Sequence, residues 1–411
     1  MRRIRVLHIT PSVRLLGARR SLLTLVKELK GTRVEPLVIV PSRGALTDEF
    51  DRLRINYRVL YLPPWRKGAS WLKMGPALRD LKSIIHEFKA DLVHCNEIYP
   101  APHALCATTG SSARVESLSR ILNGRQYGTP QIPVVTHMRL SVNPRLIKNY
   151  YLGDATRLIA VSNAAAGDFD AYPWKTGKVQ TVYNGIEFEP FLAASSRRDR
   201  IRSELGYSPE NFVIGQFGLM MPRKRPKFLL DAVPLILEKN PNARFLFIGD
   251  SSPGQDAYLE SLKKQAQECN LGEAVQFLPF QSEIADYFAA LDLNMLVSND
   301  EGFGRVILEA AAAGVPTVGS RVGGIPELIQ PEETGFLIGQ AGSSETDFFA
   351  EVPVFANLVE RVSRDRQELR KMAARARERA LKKFSTDKYV KGVVSVFEEA
   401  LDEFDAARDQ W

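Results

Sequence analysis

The sequence predicts an α/β fold of two doubly wound, Rossmann-like domains whose parallel sheets face each other across a cleft. The chain has 411 residues, which favours about two domains of roughly 200 residues each. Short apolar runs alternate with amphipathic helical stretches, and this series restarts after the charged stretch SSRRDRIRSELGYSPEN. Continuous apolar strands separated by helices are typical of parallel sheets covered on both faces.

The predicted strands of the first half are IRVLHI, PLVIVP, ADLVHC, PVVTHM, RLIAVS and VQTVYN. Those of the second half are FVIGQFG, ARFLFIG, AVQFLPF, LDLNMLVS, VPTVGS and TGFLI. Helices are predicted between them, including residues 21–30, 227–239, 256–270 and 304–313. A last amphipathic helix begins near Phe384. We therefore predict domains over residues 1–190 and 191–385, followed by a C-terminal helix over 386–411.

The composition excludes several classes of protein. Hydrophobic residues make up 45% and charged residues 25% of the chain, as in globular proteins. Nothing approaches 18 consecutive apolar residues, so no membrane-spanning helix is expected. The N-terminus starts basic but has no long apolar segment, and we interpret it as a first strand rather than a signal peptide. Cys95, Cys106 and Cys269 are widely spaced, which argues against disulfides or a zinc site and predicts a cytoplasmic protein.

Charge is distributed unevenly along the chain. Residues 1–200 carry 31 Lys and Arg against 16 Asp and Glu, a net charge of +15, and the remainder carries 24 against 32, a net charge of −8. A basic half indicates an anionic partner, for which nucleic acid, a membrane surface and a phosphorylated substrate are candidates. The alternative is a solvated basic surface without a specific partner.

The stretch EGFGRVILEAAAAGVP, residues 301–316, contains the first site candidates. Gly302, Phe303 and Gly304 form a turn between a strand and a helix, where backbone N–H groups favour an anion such as a diphosphate. Glu309 lies among apolar residues, where an unpaired carboxylate costs several kcal/mol. The paired hydroxyls of a ribose would satisfy Glu309, and Glu301 could accept hydrogen bonds from a sugar. The alternative is that Glu309 pairs with Arg305 while Glu301 is solvated.

Other candidates lie near the predicted strand ends. Lys224 belongs to the basic cluster MPRKRPK, which could neutralise a leaving diphosphate without a metal, although a solvated helix entry is the alternative. His137 and, with less support, His94 come at the ends of two predicted strands, where a ligand could be reached, although single histidines are often structural. The motif DFD, residues 168–170, resembles a metal motif but lies in a surface segment. VGGIPE is not a dinucleotide fingerprint.

These motifs together resemble those of retaining glycosyltransferases of family 4, which have the GT-B fold. The similarity covers most of the chain and includes ADLVH, VVTHMR, LIAVS, VYNGIEFEPF, GLMMPRK, LFIGD, the Glu-x7-Glu pattern of 301–309 and the closing FSTDKY. The resemblance implies that the last helix crosses back to the first domain. It also implies a nucleotide-diphosphate sugar donor, with a UDP-sugar favoured over GDP-mannose, and neither a metal nor any other cofactor.

The resemblance further assigns roles to individual residues. Glu309 matches the carboxylate that holds the ribose, Glu301 the one that contacts the transferred sugar, and Lys224 the lysine that pairs with the diphosphate. His137 matches a histidine near the reacting phosphate, Gly17 a glycine turn near the diphosphate or acceptor, and the backbone near Phe280 the base pocket. The predicted catalytic residues are thus His137, Lys224 and Glu301, and the predicted donor-binding residues are Gly17, Gly218, Arg223, Lys224, Phe280, Glu301, Gly302, Phe303, Gly304 and Glu309.

Two departures from the family pattern concern this site. Leu219 stands where an arginine usually follows the glycine, so that Arg223 or Arg225 would have to supply the charge. Leu16 replaces the first of two glycines before Arg19 and Arg20.

The first domain is expected to choose the acceptor, since it does so in most GT-B enzymes. Residues 63–82 interleave Trp65, Trp71, Leu72 and Met74 with Arg66, Lys67 and Lys73, a mixture that suits an anionic membrane interface. A polar loop over 108–133 with three arginines is a further functional candidate. We therefore expect a glycan or lipid-linked acceptor, peripheral contact with the inner face of the membrane, and no nucleic acid. The alternative to membrane contact is that these aromatic residues belong to the core and the cations are solvated. The alternatives to sugar transfer are a non-catalytic sugar-nucleotide or glycan-binding subunit and a sugar-nucleotide epimerase.

Overall fold

The computed structural model describes residues 3–65, 71–109, 131–252, 254–340 and 342–408. The chain forms two compact units. The first contains the residues up to Gly185 together with those from Thr386 onwards, and the second extends from Ile186 to Ser385. The boundary predicted after residue 190 falls within the helix Glu189–Ala194 of the second unit.

The first unit contains a seven-stranded parallel sheet in the order β3-β2-β1-β4-β5-β6-β7. Its strands are β1 Ile4–Ile9, β2 Val34–Val40, β3 Tyr57–Val59, β4 Leu92–Cys95, β5 Val134–Met138, β6 Arg157–Ala160 and β7 Val179–Thr181. Its helices are α1 Gly17–Glu28, α2 Ala45–Leu53, α3 Trp71–Phe88, α4 Ala101–Thr108, α5 Pro144–Asn149 and α6 Asn163–Gly167, with 3-10 helices Leu152–Asp154 and Pro173–Lys175.

The second unit contains a six-stranded parallel sheet in the order β10-β9-β8-β11-β12-β13. Its strands are β8 Phe212–Phe217, β9 Ala243–Ile248, β10 Val275–Leu278, β11 Leu293–Leu296, β12 Thr317–Ser320 and β13 Gly335–Ile338. Its helices are α7 Glu189–Ala194, α8 Arg198–Glu204, α9 Pro226–Lys239, α10 Asp256–Glu268, α11 Ile284–Ala290, α12 Arg305–Ala313, α13 Ile325–Leu328, α14 Glu345–Phe349, α15 Val352–Arg364 and α16 Arg366–Lys383, with 3-10 helices Ser195–Arg197 and Pro222–Lys224.

The predicted fold class is confirmed, because both sheets are parallel and carry helices between consecutive strands. Each of the twelve predicted strands is present, with ends that shift by a few residues. β3 was missed because it has three residues, YRV, at the edge of the sheet, and two of them are exposed. Such a strand has no apolar run to reveal it.

The C-terminal helix α17, Thr386–Arg408, packs on the sheet of the first unit. Its buried residues recur on one face, as a helical period requires, and they contact residues of β1, β4, β5 and β6; they are Tyr389, Val390, Val393, Val396, Phe397 and Ala400. Arg157 pairs with Glu399 at 3.3 Å and with Glu403 at 2.8 Å, and Arg33 pairs with Glu398. Part of the basic excess of the first half is therefore met by an acidic helix of the same chain.

Candidate active site

The carboxyl ends of the strands of the second unit hold most of the predicted donor site. Because β8 to β13 are parallel, the loops that follow them leave the same edge of the sheet, where doubly wound sheets bind ligands. The turn that contains Lys224 follows β8, Phe280 follows β10, and the loop that contains Glu301 follows β11. The fold thus gathers at one edge residues that are far apart in the sequence.

Lys224 and Glu301 form the central ion pair of this edge. The Lys224 Nζ contacts Glu301 Oε2, and the Ser298 hydroxyl donates to the same oxygen at 3.3 Å. Lys224 is held by its backbone, since its carbonyl accepts a hydrogen bond of 2.7 Å from the buried Gln216 of β8. Both charged side chains are mostly shielded from solvent, which strengthens their interaction relative to a surface pair. Glu301 is therefore not the solvated carboxylate of the alternative interpretation.

Glycines shape the loop that follows β11. Gly304 has φ 101, and a Cβ there would lie 3.1 Å from Ile307 and Leu296, so this entry to α12 favours glycine. Gly323, in the VGGIPE stretch, has φ +50, and a Cβ there would lie 1.8 Å from the Glu301 carbonyl oxygen. Gly324 N donates to that same carbonyl at 3.0 Å. VGGIPE was set aside from the sequence, yet its two glycines support the Glu301 loop.

Glu309 lies in α12 and is 6% exposed. Its Oε1 lies 3.5 Å from an Nη of Arg305, one helical turn earlier, a distance at the limit of a direct hydrogen bond. The pairing considered as an alternative is therefore present, although it is long. Gly302 and Phe303 are buried beside the start of α12, and the Phe303 ring packs against Phe384 at 6.0 Å.

The neighbouring arginines differ in their partners. Arg225 is buried in a left-handed conformation with φ 49. It donates two hydrogen bonds to Glu345, at 3.0 and 2.7 Å, and its guanidinium stacks 3.9 Å above the Phe348 ring. The Arg225 side chain thus contacts Glu345 and Phe348, and none of these three contacts involves Lys224 or Glu301. Arg223 is half-buried and donates to the carbonyl of Asp300, next to Glu301. Of the two, only Arg223 bonds the backbone next to Glu301.

The two remaining donor-site predictions of this unit lie on the surface. Gly218 is exposed and has φ 134. A Cβ on Gly249, which follows β9, would lie 1.9 Å from the Gly218 carbonyl oxygen, so the ends of β8 and β9 approach closely. The Phe280 ring is 50% exposed, while its backbone N–H donates to Asp250 at 3.0 Å. The Phe280 N–H is thus bonded to Asp250, and the part of Phe280 that is accessible to a ligand is its exposed ring.

In the first unit, Gly17 is exposed as the first residue of α1. Arg19 pairs with Glu97 at 2.6 Å, and Arg20 donates to the Leu15 carbonyl at 3.2 Å. Burial raises the pKa of Glu97, while Arg19 and then Arg139 oppose that rise. The turn at Gly17 is thus fastened to the loop after β4.

His94 and His137 lie at the carboxyl ends of β4 and β5, but inside the strands rather than after them, because sheet pairing continues to Cys95 and Met138. Both are fully buried. Burial lowers the pKa of each well below 6.5, and nearby positive charge acts in the same direction. Neither ring nitrogen of His137 has a hydrogen-bond partner among the described residues. A direct contact of His137 with the donor stays a prediction that would require this core to open.

Three other predictions lie in the first unit. Trp65 and Met74 form a buried cluster with Tyr150 and Tyr151, so the expectation that they face a membrane is wrong and the core alternative holds for them. Arg66, Lys67 and nearly all of the polar loop over 108–133 lie outside the described residues. In the DFD motif, Asp168 accepts a hydrogen bond from Val142 N at 2.7 Å, while Asp170 pairs with Lys175.

Arg139, Asn96 and Asn184 were not among the residues predicted from the sequence. In the structure the Arg139 guanidinium bonds both asparagine side chains. The sequence contained a signal for these residues, because each comes soon after a strand. Arg139 and Asn184 belong to the motifs VVTHMR and VYNGIEFEPF that resembled the family, and Asn96 lies two positions after the motif ADLVH.

In the described part of the chain, no helix is both long and apolar enough to cross a membrane.

Comparisons with known proteins agree with this architecture. Residues 16–189 match the family model described as Glycosyltransferase Family 4, and residues 197–379 match the model described as Glycosyl transferases group 1. N-acetyl-alpha-D-glucosaminyl L-malate synthase of Bacillus anthracis is 26% identical over 86% of this chain and 84% of its own length. A D-inositol 3-phosphate glycosyltransferase of Streptomyces avermitilis is 34% identical, over only 45% of this chain and 41% of its own length.

Two further similarities cover nearly the whole chain. UDP-Gal:alpha-D-GlcNAc-diphosphoundecaprenol alpha-1,3-galactosyltransferase of Escherichia coli is 25% identical over 82% of this chain and 84% of its own length. The crystal structure of Anabaena HepE in complex with UDP and glucose has a TM-score of 0.78 and 24% identity, over 96% of this chain and 99% of the other. That last similarity shows the fold. With two family models that together span most of residues 16–379, the chain belongs to the family 4 glycosyltransferases of the GT-B fold.

Proposed function

We propose that this protein is a retaining, metal-independent hexosyltransferase. Its donor is a UDP- or GDP-linked sugar, with UDP favoured, and its acceptor is a lipid-linked sugar or glycan in the synthesis of cell-surface polysaccharide or glycolipid. The observation that carries the proposal is the contact of Lys224 with Glu301 beside the glycine entry to α12, the helix that contains Glu309. In this proposal Lys224 is the cation for the diphosphate, Glu301 binds the hydroxyls of the sugar and Glu309 binds the ribose.

In the proposed reaction, the bond between the anomeric carbon and the diphosphate oxygen breaks while the acceptor oxygen bonds to the same face of that carbon. The acceptor proton passes to the leaving diphosphate, so no covalent intermediate with the enzyme is required. Lys224, helped by Arg223, would stabilise the negative charge that develops on the diphosphate, which is why we propose neither a metal nor another cofactor. Glu309 would bind the ribose, and Glu301 would orient the transferred sugar.

Relatives support the choice of donor and acceptor. The printed name of the Escherichia coli relative specifies a UDP-linked galactose and a diphosphoundecaprenol-linked acceptor. The similar Anabaena structure contains UDP and glucose. A UDP-hexose and a polyprenyl-diphosphate-linked sugar are therefore the first donor and acceptor to test.

The decisive experiment measures release of the nucleoside diphosphate from a panel of UDP- and GDP-hexoses, with polyprenyl-diphosphate-linked sugars as acceptors and EDTA present. We expect UDP release and a product with the anomeric configuration of the donor, as read by NMR. An inverted product would contradict the retaining mechanism. Loss of activity in EDTA that Mg²⁺ or Mn²⁺ restores would contradict metal independence. Binding without turnover would indicate a sugar-nucleotide-binding subunit, and donor isomerisation without acceptor would indicate an epimerase.

In a companion measurement, thermal unfolding of the same protein is followed with UDP and with GDP. A ligand that binds only the folded state stabilises it by about 2.7 kcal/mol at 100 times its dissociation constant, so UDP is expected to raise the melting temperature more than GDP. Glu309→Gln should abolish most of this shift. An equal UDP shift in the Glu309→Gln variant would remove Glu309 from the nucleotide site.

We further propose a cytoplasmic enzyme that contacts the inner face of the membrane peripherally. Because Trp65 and Met74 are buried, and the side chains of Trp71 and Leu72 lie outside the described part of the chain, the described basis for this contact is cations, which include the exposed Lys73, Arg145 and Lys148. Co-sedimentation with liposomes that contain anionic lipid is expected at low salt and should weaken as salt screens these charges. Neutral liposomes are the control, and equal recovery with both kinds of liposome would contradict the proposal.

A further inference from the structure

The side chain of Arg139, directly after β5, is fixed by four hydrogen bonds within the first unit. Its Nε donates to the Asn96 carbonyl at 3.2 Å, and one Nη donates to Asn96 Oδ1 at 2.6 Å. The same Nη also donates to the Tyr389 hydroxyl at 3.2 Å, and the other Nη donates to Asn184 Oδ1 at 2.5 Å. Only a planar guanidinium offers donors in the fork that this arrangement needs.

The three partners of Arg139 stand at separate points of the chain. Asn96 follows β4. Asn184 is the residue before Gly185, where the chain leaves the first unit, and Tyr389 is in the first turn of α17, just after the chain returns at Thr386. Arg139 therefore ties together the two segments through which the chain leaves and re-enters this unit.

The same partners also support the start of α1. Asn96 accepts from Arg139 through Oδ1 and donates through Nδ2 to the Ala18 carbonyl at 3.2 Å. Tyr389, which is 1% exposed, accepts from Arg139 and donates to the Ser21 carbonyl at 3.4 Å. Two carbonyls of the first turns of α1 are thus held by groups whose orientation Arg139 sets. Gly17, the predicted contact with donor or acceptor, begins that helix.

We propose that Arg139 is a positioning residue for sugar transfer, which holds the Gly17 turn in its working place through Asn96 and Tyr389. This inference rests on the proposed function. Arg139 itself need not touch a substrate. Its loss would displace the turn while leaving Lys224, Glu301 and Glu309 of the second unit unchanged.

The test is Arg139→Lys, which keeps the charge but cannot span the four acceptors from a single ammonium. Displacement of about 1 Å at a reacting site costs about 100-fold in rate, so we expect kcat to fall by about that factor. The UDP-induced shift in melting temperature should stay within about twofold, because Lys224 and Glu309, which are proposed to bind the diphosphate and the ribose, lie in the intact second unit. Tyr389→Phe keeps the ring, removes the two hydrogen bonds of the hydroxyl and leaves the other three bonds of Arg139 in place, so it should lower kcat less, by about 10-fold.

Arg157→Gln is the matched control. Arg157 also binds α17, through Glu399 and Glu403, but it begins β6 at the amino end, opposite the strand end that carries Arg139. Arg157→Gln should lower the melting temperature and leave kcat within about twofold. An equal loss of kcat in Arg157→Gln, or an Arg139→Lys variant as active as the wild type, would overturn the inference alone. A wild-type chain that transfers no sugar would overturn the proposed function and the inference together.

Discussion

Lys224→Ala is expected to lower kcat for sugar transfer by about 100- to 1,000-fold, the loss typical when one charge-stabilising donor is removed from an active site. The reason is the placement of Lys224, whose Nζ contacts Glu301 and whose backbone is anchored to β8 through Gln216. Alanine removes the cation that is proposed to stabilise the leaving diphosphate. It also removes one of two groups that contact Glu301 Oε2, so that of the two only the Ser298 hydroxyl is left. The measurement is kcat with saturating UDP-sugar.

Two variants separate the roles of Lys224. Lys227 is only three residues away, but it is 48% exposed and pairs with Asp231 along α9, so Lys227→Ala should retain activity. Glu301→Gln should lose turnover while binding free UDP normally, because Glu301 is assigned to the sugar. Lys224→Ala should weaken UDP binding as well. If Lys224→Ala bound UDP like the wild type, Lys224 would only orient Glu301 and would not stabilise the diphosphate.

Acidification from pH 7 to pH 5 is expected to destabilise the first unit by about 2 kcal/mol through His8 alone. Burial lowers the pKa of His8 to about 3 from the ordinary value of 6.5. Below pH 6.5 the unfolded chain therefore binds a proton that the folded unit refuses, and each pH unit costs about 1.4 kcal/mol. Stability is greatest above pH 6.5 and is lost as the pH falls from there towards 3.

The packing of the histidines explains this direction. His8 Nδ1 lies 2.9 Å from His94 Nδ1, so one ring donates and the other accepts, and the accepting ring must be neutral. Phe397 of α17 packs against both rings, at 6.1 and 5.3 Å. His94 and His137 shift in the same direction and add to the loss. Protonation of these histidines is therefore expected to destabilise the packing of α17 on the sheet.

Tryptophan fluorescence isolates this effect, because residues 186–385, which form the second unit, contain no tryptophan, whereas Trp65 and Trp174 lie in the first unit. Urea unfolding at pH 7, 6 and 5 should show a falling free energy of unfolding, with a shallower slope for His8→Asn. His86 is exposed on α3, so His86→Asn should keep the wild-type slope. A His8→Asn variant with an unchanged slope would show that His8 does not account for the acid sensitivity.

The sequence alone determined the fold class and the local sites that depend on neighbours along the chain. Apolar runs separated by amphipathic helices predict parallel sheets, since strands buried on both faces must be apolar throughout. The glycine turn at Gly302–Gly304 and the carboxylate of Glu309 could be selected as candidates because both belong to one continuous stretch, residues 301–316. Periodicity and turn chemistry are local properties, and they can be read without knowing the contacts.

Only the tertiary structure decided which polar groups meet. Lys224 and Glu301 are 77 positions apart, and Arg139 and Tyr389 are 250 apart. Strand order brings the first pair together, and the packing of α17 on the sheet brings the second pair together. Trp65 and Met74 resembled a membrane surface because their sequence mixes aromatics with cations, but burial assigns them to the core. His94 and His137 lie at strand ends as expected, yet both are fully buried and do not reach a surface. Which side of a sheet is covered depends on distant segments such as α17, and no local pattern contains that information.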